Sequence, residues 1–421
     1  MKIGFFGNAN NYPFMLARAV RRLGHEVLFI VNANPTSKYE ILDRPEKRYD
    51  DITIPYPDWI YDATPFNVWQ FPSISLKRTR IIRLLQTCDA VILNQYGPSL
   101  APDIRRPAIV LLTGTDLEIW ASLQYPELLL NYILEKPYIL LSPMNMLKPL
   151  SRKRFFKRFF LAILKRFFFK LVLAQRAGIR SAVAVSYFAK GLVPKGDALL
   201  DEIGVKDSQR VYFLMTDLEK IRLQPMPNNR LPRVFCVARL TWKKPENLAV
   251  DSELNYKGSD IMVRGLGLFA RTTGIRLDIR LVKKGAHVHE TMQLVKEEDI
   301  DGQVTWLEEM TQQDVLEECK QADIIIDQLG MSMVGMGGLD AMAMGRPLIA
   351  NGRPEIMQKG IGASSPICQA STPEEVCAQL QRLTADPNER QRVGLASHRY
   401  VKEHFSTDRA AQICLDYLKC V

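Results

Sequence analysis

The sequence predicts an α/β protein built from two doubly wound parallel sheets that face a cleft, and three observations carry that prediction. The chain opens on a short apolar run, Lys2 to Gly7, which leads through a Gly-Asn loop into an amphipathic helix and a second apolar run. A proline- and asparagine-rich stretch, QPMPNNRLP over Gln224 to Pro232, then interrupts the chain near its middle. Beyond it, a second series of short apolar runs alternates with helical patterns. At 421 residues the chain has room for two domains, each with its own core.

Taken in order, Lys2 to Gly7 reads as a buried strand, Pro13 to Leu23 as a helix stopped by Gly24, and His25 to Val31 as the next strand. A strand, loop, helix and strand of that length make a βαβ unit, whose crossover imposes parallel pairing. Asp89 to Asn94, Pro107 to Leu112 and Ser181 to Val185 supply further strands. In the second half, strands are expected at Val234 to Ala238, Arg276 to Val282, Val304 to Leu307, Ile324 to Ile326 and Pro347 to Ala350. Helices fall near Ile261 to Thr272, Val288 to Glu298 and Gln312 to Gln321. The expected division is a first Rossmann-like domain at 1–205, a second at 206–400, and a C-terminal helix at 401–421 that returns to the first. Ligands of such sheets bind beyond the carboxyl ends of the strands.

Composition excludes the disordered and fibrous classes. Net charge is +10, and one segment supplies most of it: Ser151 to Lys170, SRKRFFKRFFLAILKRFFFK, holds eight basic side chains, seven phenylalanines and no acid. Phe155, Phe159, Ile163, Phe167 and Leu171 form one i, i+4 row; Phe156, Phe160, Leu164, Phe168 and Val172 form a second beside it. Arg152, Lys153, Arg154, Lys157 and Arg158 occupy the rest of the circumference at its start. Residues 151–172 therefore read as a basic amphipathic helix lying on an anionic membrane surface. A core helix with a solvated basic face is the rival reading. Nucleic acid is not expected as a partner, since stacking platforms need separated aromatics on an open surface. An i, i+4 row drifts about 40° per step, so the half from Phe155 to Phe160 is expected to meet lipid while the later half packs on protein.

Seven scattered cysteines without a CxxC pair argue against a disulfide framework or a zinc site and point to a reduced, cytoplasmic setting. No secretory-signal pattern and no uncharged apolar run of membrane-spanning length occur, so contact with the inner face of the cell membrane is expected to be peripheral.

The most specific stretch is Ala322 to Ala350, ADIIIDQLGMSMVGMGGLDAMAMGRPLIA. A buried strand enters a loop with Gly335, Gly337 and Gly338, and a helix opens near Leu339. Glycines let backbone approach an anion, and a helix N-terminus offers free N–H groups, so a diphosphate suits this end. Asp340, read in the first helical turn, either accepts hydrogen bonds from a ribose diol or complements the helix dipole.

On these residues the chain resembles a GT-B glycosyltransferase of glycosyltransferase family 4. The family's Glu-x7-Glu motif, with its internal glycine and its Ala-Met-Ala-x-Gly run, corresponds here to Gly335 and Ala341 to Gly345; Asp340 replaces the second Glu and Ser332 the first. The resemblance implies that Asp340 holds the nucleotide ribose and that Ser332 stands where the donor sugar is touched. Val237-Ala238-Arg239-Leu240 is similar to the family's Gly-Arg-Leu segment and Lys257-Gly258-Ser259-Asp260 to its Lys-Gly-x-Asp, across an insertion holding Lys243 and Lys244. It implies that Arg239 and Lys257 grip the donor diphosphate, with Lys243 or Lys244 as alternatives to Lys257. Cations aimed there would stabilise the charge that develops as the sugar leaves. Backbone around Met310 stands where the family reads the base. On the acceptor side, Gly7 and Asn8 resemble the family's first loop, and Gly114, Thr115 and Asp116 a segment that often contains His-Gly, with Thr113 at the place of the histidine.

Asp299-Ile300-Asp301 is formally a DxD but falls in a charged turn, and His287 with His289 is read as capping a turn, so no metal and no cofactor are expected. The resemblance implies a retaining transferase that moves a sugar from a nucleotide-sugar donor to a saccharide or lipid-linked acceptor of surface polysaccharide or glycolipid synthesis. A non-catalytic membrane adaptor on the same scaffold, or another nucleotide-sugar enzyme such as an epimerase, are the alternatives.

Overall fold

The apolar runs become parallel strands because helices cover both faces of each sheet and leave no wet face to alternate. The computed structural model describes residues 1–33, 43–64, 75–127, 154–243, 256–330 and 333–420, the side chains of 154–161 and 164 excepted. Arg152, Lys153, Lys244 and Ser332 lie outside the described residues, as do the side chains of Arg154, Phe155, Phe156, Lys157, Arg158, Phe159 and Phe160. In the first sheet, β1 (Lys2–Phe6), β2 (Glu26–Val31), β3 (Ile60–Asp62), β4 (Ala90–Asn94), β5 (Ala108–Leu111), β6 (Ala184–Ser186) and β7 (Arg210–Val211) lie in the order β3-β2-β1-β4-β5-β6-β7. In the second, β8 (Arg233–Cys236), β9 (Asp278–Val282), β10 (Val304–Leu307), β11 (Ile324–Ile326), β12 (Leu348–Ala350) and β13 (Cys368–Gln369) lie in the order β10-β9-β8-β11-β12-β13. The strands β3, β7 and β13 are too short to show a period in sequence, and β7 carries the first sheet past the boundary expected at residue 205. The order reverses between β1 and β4 and again between β8 and β11, and these two switch points open the crevices in which ligands settle.

Helices α1 (Tyr12–Arg22), α2 (Leu76–Gln86), α3 (Ala101–Ile104), α4 (Thr115–Glu118), α5 (Arg154–Ser181) and α6 (Pro194–Ile203) accompany the first sheet. The second carries α7 (Ser259–Thr273), α8 (Val288–Glu297), α9 (Gln312–Gln321), α10 (Met336–Ala343), α11 (Pro354–Ile361), α12 (Pro373–Ala385) and α13 (Pro387–His404), and α14 (Thr407–Lys419) closes the described chain. Pro13 suits the first turn of α1, where an amide hydrogen has no partner to lose. Gly24, at φ +84, ends the connection into β2. Phe14, Met15, Leu16, Ala17, Ala19 and Val20 are all buried, because α1 is caught between Phe5 and Phe29 of the sheet and Ala411, Cys414 and Leu415 of α14. The C-terminal helix thus packs on the first domain.

The basic helix α5 runs longer than the span expected from its pattern. Its second half is fixed to the body by two devices. Gly178 lies so close to the 97–100 turn that a Cβ there would stand 1.8 Å from the Pro98 carbonyl oxygen. Buried Gln175 accepts from Ser99 N–H at 3.1 Å and donates to the carbonyls of Gln95 at 2.7 Å and Asp116 at 3.2 Å. Phe168, Leu171 and Val172 face inward, Phe168 and Leu171 joining Leu100 and Ile104 in one cluster. The winding separates Ile163 from the Phe167–Leu171 end of its row: Ile163, Phe169 and Leu173 remain 50%, 43% and 46% exposed, interleaved with exposed Lys165, Arg166 and Lys170.

Close approach of helix and turn makes Gly178 intolerant of a side chain. Gly178→Ala is expected to cost about 1–3 kcal/mol by overpacking, seen as a lower midpoint in chemical denaturation; an unchanged midpoint would show that the helix can shift at no cost.

Candidate active site

The carboxyl ends of the two sheets face one another across a cleft of about 450 Å³. Its C-terminal wall is made by the segment after β8 (Val237, Ala238, Arg239), by Lys257, by Asp327 and Gln328 after β11, and by Met333 to Gly337 leading into α10. Ala9, Asn10, Arg48, Thr113 and Ser186 to Phe188 belong to the opposite wall.

Lys257 is pinned between two loops. Its N–H donates to Thr241 O at 2.8 Å, and its carbonyl accepts from Leu329 N–H at 2.9 Å and Gly330 N–H at 3.2 Å. Gly258, at φ +71, lets the chain turn away, since a Cβ there would meet Gly330 N at 2.4 Å. The Lys257 ammonium donates to Gln328 Oε1 at 2.5 Å. Burial pushes its pKa down to about 8, with Asp327 opposing the shift and Arg239 adding to it. Arg239, exposed at the rim, makes no side-chain hydrogen bond or ion pair among the described residues.

The glycines of α10 receive an anion that belongs to the protein. Gly335 N–H donates to Asp327 Oδ2 at 2.5 Å, and a Cβ would stand 2.9 Å from that oxygen at Gly335 and 2.5 Å from it at Gly338. Asp327 is buried, which raises its pKa, while the Gly335 N–H and the Lys257 charge favour its ionised form. Gly337 lines the cleft against Val237. In sequence, Asp327-Gln328 stands near Ser332 as a pair that could compensate for the acid missing there; the signal that singles Asp327 out is an acid directly after an all-isoleucine strand, eight residues before a glycine.

Asp340 stands behind this wall. The helix α10 opens at Met336, earlier than expected, so Asp340 lies beyond its first turn and the dipole reading lapses. Only 3% exposed, its carboxylate accepts from the Thr216 hydroxyl and from Gln312 Nε2 at 3.4 Å. Burial raises its pKa; the charge of Arg48 across the domain boundary is the first influence opposing that. Lys243 points elsewhere, pairing with Glu290 at 3.1 Å and lying over Trp242. Met310 follows β10, half-buried, outside the lining of the cleft, and leads into Thr311 and Gln312, which line a second cavity of about 430 Å³.

On the N-terminal wall the structure brings forward neighbours of the expected residues. Asn8 is buried, donating to Asn11 Oδ1 at 2.8 Å and accepting from Phe14 N–H at 3.1 Å, and Gly7 at φ +87 lies against Asn94, so Ala9 and Asn10 present the loop to the cleft. Asp116 likewise braces its loop from inside. It accepts from the N–H groups of Thr113 at 2.8 Å and Gly114 at 3.0 Å and from Asn94 at 3.1 Å, and burial lifts its pKa to about 6. Thr113 lines the cleft, while Gly114 and Thr115 do not. Tyr187, which sequence reading missed, lines the cleft and holds its hydroxyl 3.2 Å from Glu118. His287 Nδ1 accepts the Trp242 N–H at 3.0 Å and so caps that turn. Among the described residues no cluster of three or more His, Cys, Asp or Glu side chains is arranged to hold a metal ion.

No protein-family model matches the sequence, and no curated protein matches it. Solved structures do match along its whole length. Sucrose-phosphate synthase from Thermosynechococcus elongatus superposes over 100% of this chain and 99% of its own, with a TM-score of 0.58 at 14% identity. Anabaena HepE, solved in complex with UDP and glucose, matches over 100% of both chains, also with a TM-score of 0.58 and 14% identity. The lipopolysaccharide outer core galactosyltransferase WaaB, in its apo form, matches over 100% and 99% with a TM-score of 0.53 at 12% identity. Two doubly wound parallel sheets about one cleft, shared with these proteins from end to end, give this chain the GT-B fold.

Proposed function

We propose that this chain is a retaining glycosyltransferase that moves a sugar from a nucleotide-sugar donor to a saccharide acceptor, lipid-linked and met at a membrane surface, in surface polysaccharide or glycolipid synthesis. One observation carries the reading: Arg239, Lys257 and the glycine-rich start of α10 converge on the C-terminal wall of an interdomain cleft. Fixed cations there suit a leaving diphosphate, because they stabilise charge that grows only as the sugar departs. HepE binds UDP and glucose in the same fold, and WaaB is a galactosyltransferase of lipopolysaccharide. Asp327 is the acid that lines the cleft among the described residues, and it sits on the donor wall next to Lys257, tied to Gly335. The leaving phosphate is then the group that takes the acceptor proton, with departure and attack on one face of the sugar. Asp340 reaches a ribose once Thr216 and Gln312 yield.

The membrane part of the reading rests on the outer face of α5, where Ile163, Phe169 and Leu173 alternate with Lys165, Arg166 and Lys170. Burying an apolar side chain of that size contributes roughly 1.5–3 kcal/mol, and a cation near an anionic leaflet about 1 kcal/mol. Among the described residues no helix is long and apolar enough to cross a membrane. In this reading the protein lies on the inner face of the cell membrane with its acceptor side toward the lipid.

Three outcomes follow. Screening UDP-, GDP- and ADP-sugars with lipid-linked acceptors is expected to show transfer with one donor; Arg239→Ala and Lys257→Ala should each lower kcat/KM about 10²- to 10³-fold, as loss of a transition-state donor does. A thermal shift with none of the nucleotides would favour the adaptor reading instead. Because the amine of Lys257 titrates near 8 and a diphosphate needs its charged form, donor affinity should fall as pH rises through about 8; Lys257→Arg should flatten that profile, and a wild-type affinity constant from pH 7 to 9 would sink the assignment. Finally, the triple substitution Ile163→Ser, Phe169→Ser, Leu173→Ser should release the protein from phosphatidylglycerol-containing vesicles in flotation while leaving nucleotide binding intact. Persistent flotation would assign membrane contact to another surface.

A further inference from the structure

The N-terminal wall carries a cation that no sequence pattern singles out. Arg48 follows the short turn Pro45–Lys47 and lies where the cleft meets the second cavity, lining both. Lys257 belongs to the first cavity and Gln312, the partner of Asp340, to the second, so Arg48 stands at the join between them. Its segment is held in place. Tyr49 is buried against Phe14, and the Arg48 carbonyl accepts from Lys220 Nζ at 2.7 Å. The guanidinium donates to the Asn10 carbonyl at 3.2 Å, and its charge favours the ionised form of buried Asp340, but among the described residues no carboxylate forms a direct ion pair with it. Next to it the Tyr49 hydroxyl is buried without a hydrogen-bond partner among the described residues, and Tyr49 is one of the residues that border the second cavity. A guanidinium that lines both cavities and has no direct carboxylate partner marks this wall as one that receives an anionic ligand.

Charge says which ligand. On the opposite wall two cations, Arg239 and Lys257, are offset by one carboxylate, Asp327, which leaves a single net positive charge for a leaving diphosphate that bears more than one negative charge. An arginine fork is the group that best matches phosphate oxygens. We propose that Arg48 grips the donor diphosphate from the N-terminal wall, opposite Arg239 and Lys257, so that the donor is fully held only when the two domains face each other. The proposal rests on the glycosyltransferase reading above and adds to it a binding residue from the other domain.

Isothermal titration of the full chain with UDP, GDP and ADP, each paired with its nucleoside, tests this in the wild type and in Arg48→Gln and Arg48→Lys. For whichever diphosphate the wild type binds, Arg48→Gln should weaken affinity about ten- to hundredfold, the range for losing a charged hydrogen bond. Arg48→Lys should fall between, nucleoside affinity should hold, and the melting curve should not move. Diphosphate affinity within about twofold of wild type overturns the proposal, as does an equal loss for nucleoside and diphosphate, which would mark a structural role. A wild type that binds none of the three diphosphates removes the glycosyltransferase reading itself, an outcome distinct from a silent Arg48→Gln in a chain that binds.

Discussion

The C-terminal wall of the cleft is organised by one buried carboxylate. Asp327 follows the central strand β11, accepts the N–H of Gly335, the residue that caps α10, and shares a favourable electrostatic interaction with the Lys257 ammonium. A charge so placed is costly unless it is met by hydrogen bonds and an opposite charge, and the surrounding sequence is what meets it. Gly335 and Gly338 give it room, Gly258 lets Lys257 turn over the loop after β11, and Gln328 Oε1 accepts a hydrogen bond from the lysine ammonium. Remove Asp327 from this arrangement and the lysine loses the neighbour that keeps its charge in a dry site.

A second bond ties the wall to the rest of the molecule. Thr216, in the connection between the sheets, donates its hydroxyl to Asp340 and its N–H to Phe405 O at 2.8 Å, just where the chain turns toward α14. The helix α14 then packs on α1 beneath the loop that carries Asn10. The position of α10, the interdomain connection and the N-terminal wall are therefore mechanically linked, and any ligand that draws Asp340 forward must act on that linkage. At the other end of the N-terminal domain, Gln175 and Gly178 seat α5 against the turn after β4, which sets the azimuth of its basic outer face.

Periodicity and turn chemistry exposed the elements: β10, α9 and β11 fall on the residues expected. Arg239 and Lys257 are singled out by the resemblance of their segments to the family's, and both line the cleft. Periodicity did not expose the two-residue strands, which have no period to read, nor the start of α10, whose first turn is hidden in glycine. Asn8 and Asp116 carried the polar character of site residues, yet both turn inward to satisfy backbone N–H groups, and it is Asn10 and Thr113 beside them that reach the cleft. Which of two nearby polar residues faces the cleft depends on the backbone's sense of turn and not on residue type.

The sequence by itself determined two βαβ series, a glycine-rich loop ahead of a helix and a basic aromatic helix, because each is a local pattern of side chains along a few turns of chain. Tertiary structure alone decided that Asp327 accepts the Gly335 N–H, that Asp340 is enclosed by Thr216, that Arg48 crosses to the cleft from the other domain, and that Ile163, Phe169 and Leu173 are the exposed large apolar residues on the described face of α5. Each of these depends on contacts between residues far apart in the chain, whose free energy is set by burial and charge in the folded state and leaves no period in the sequence.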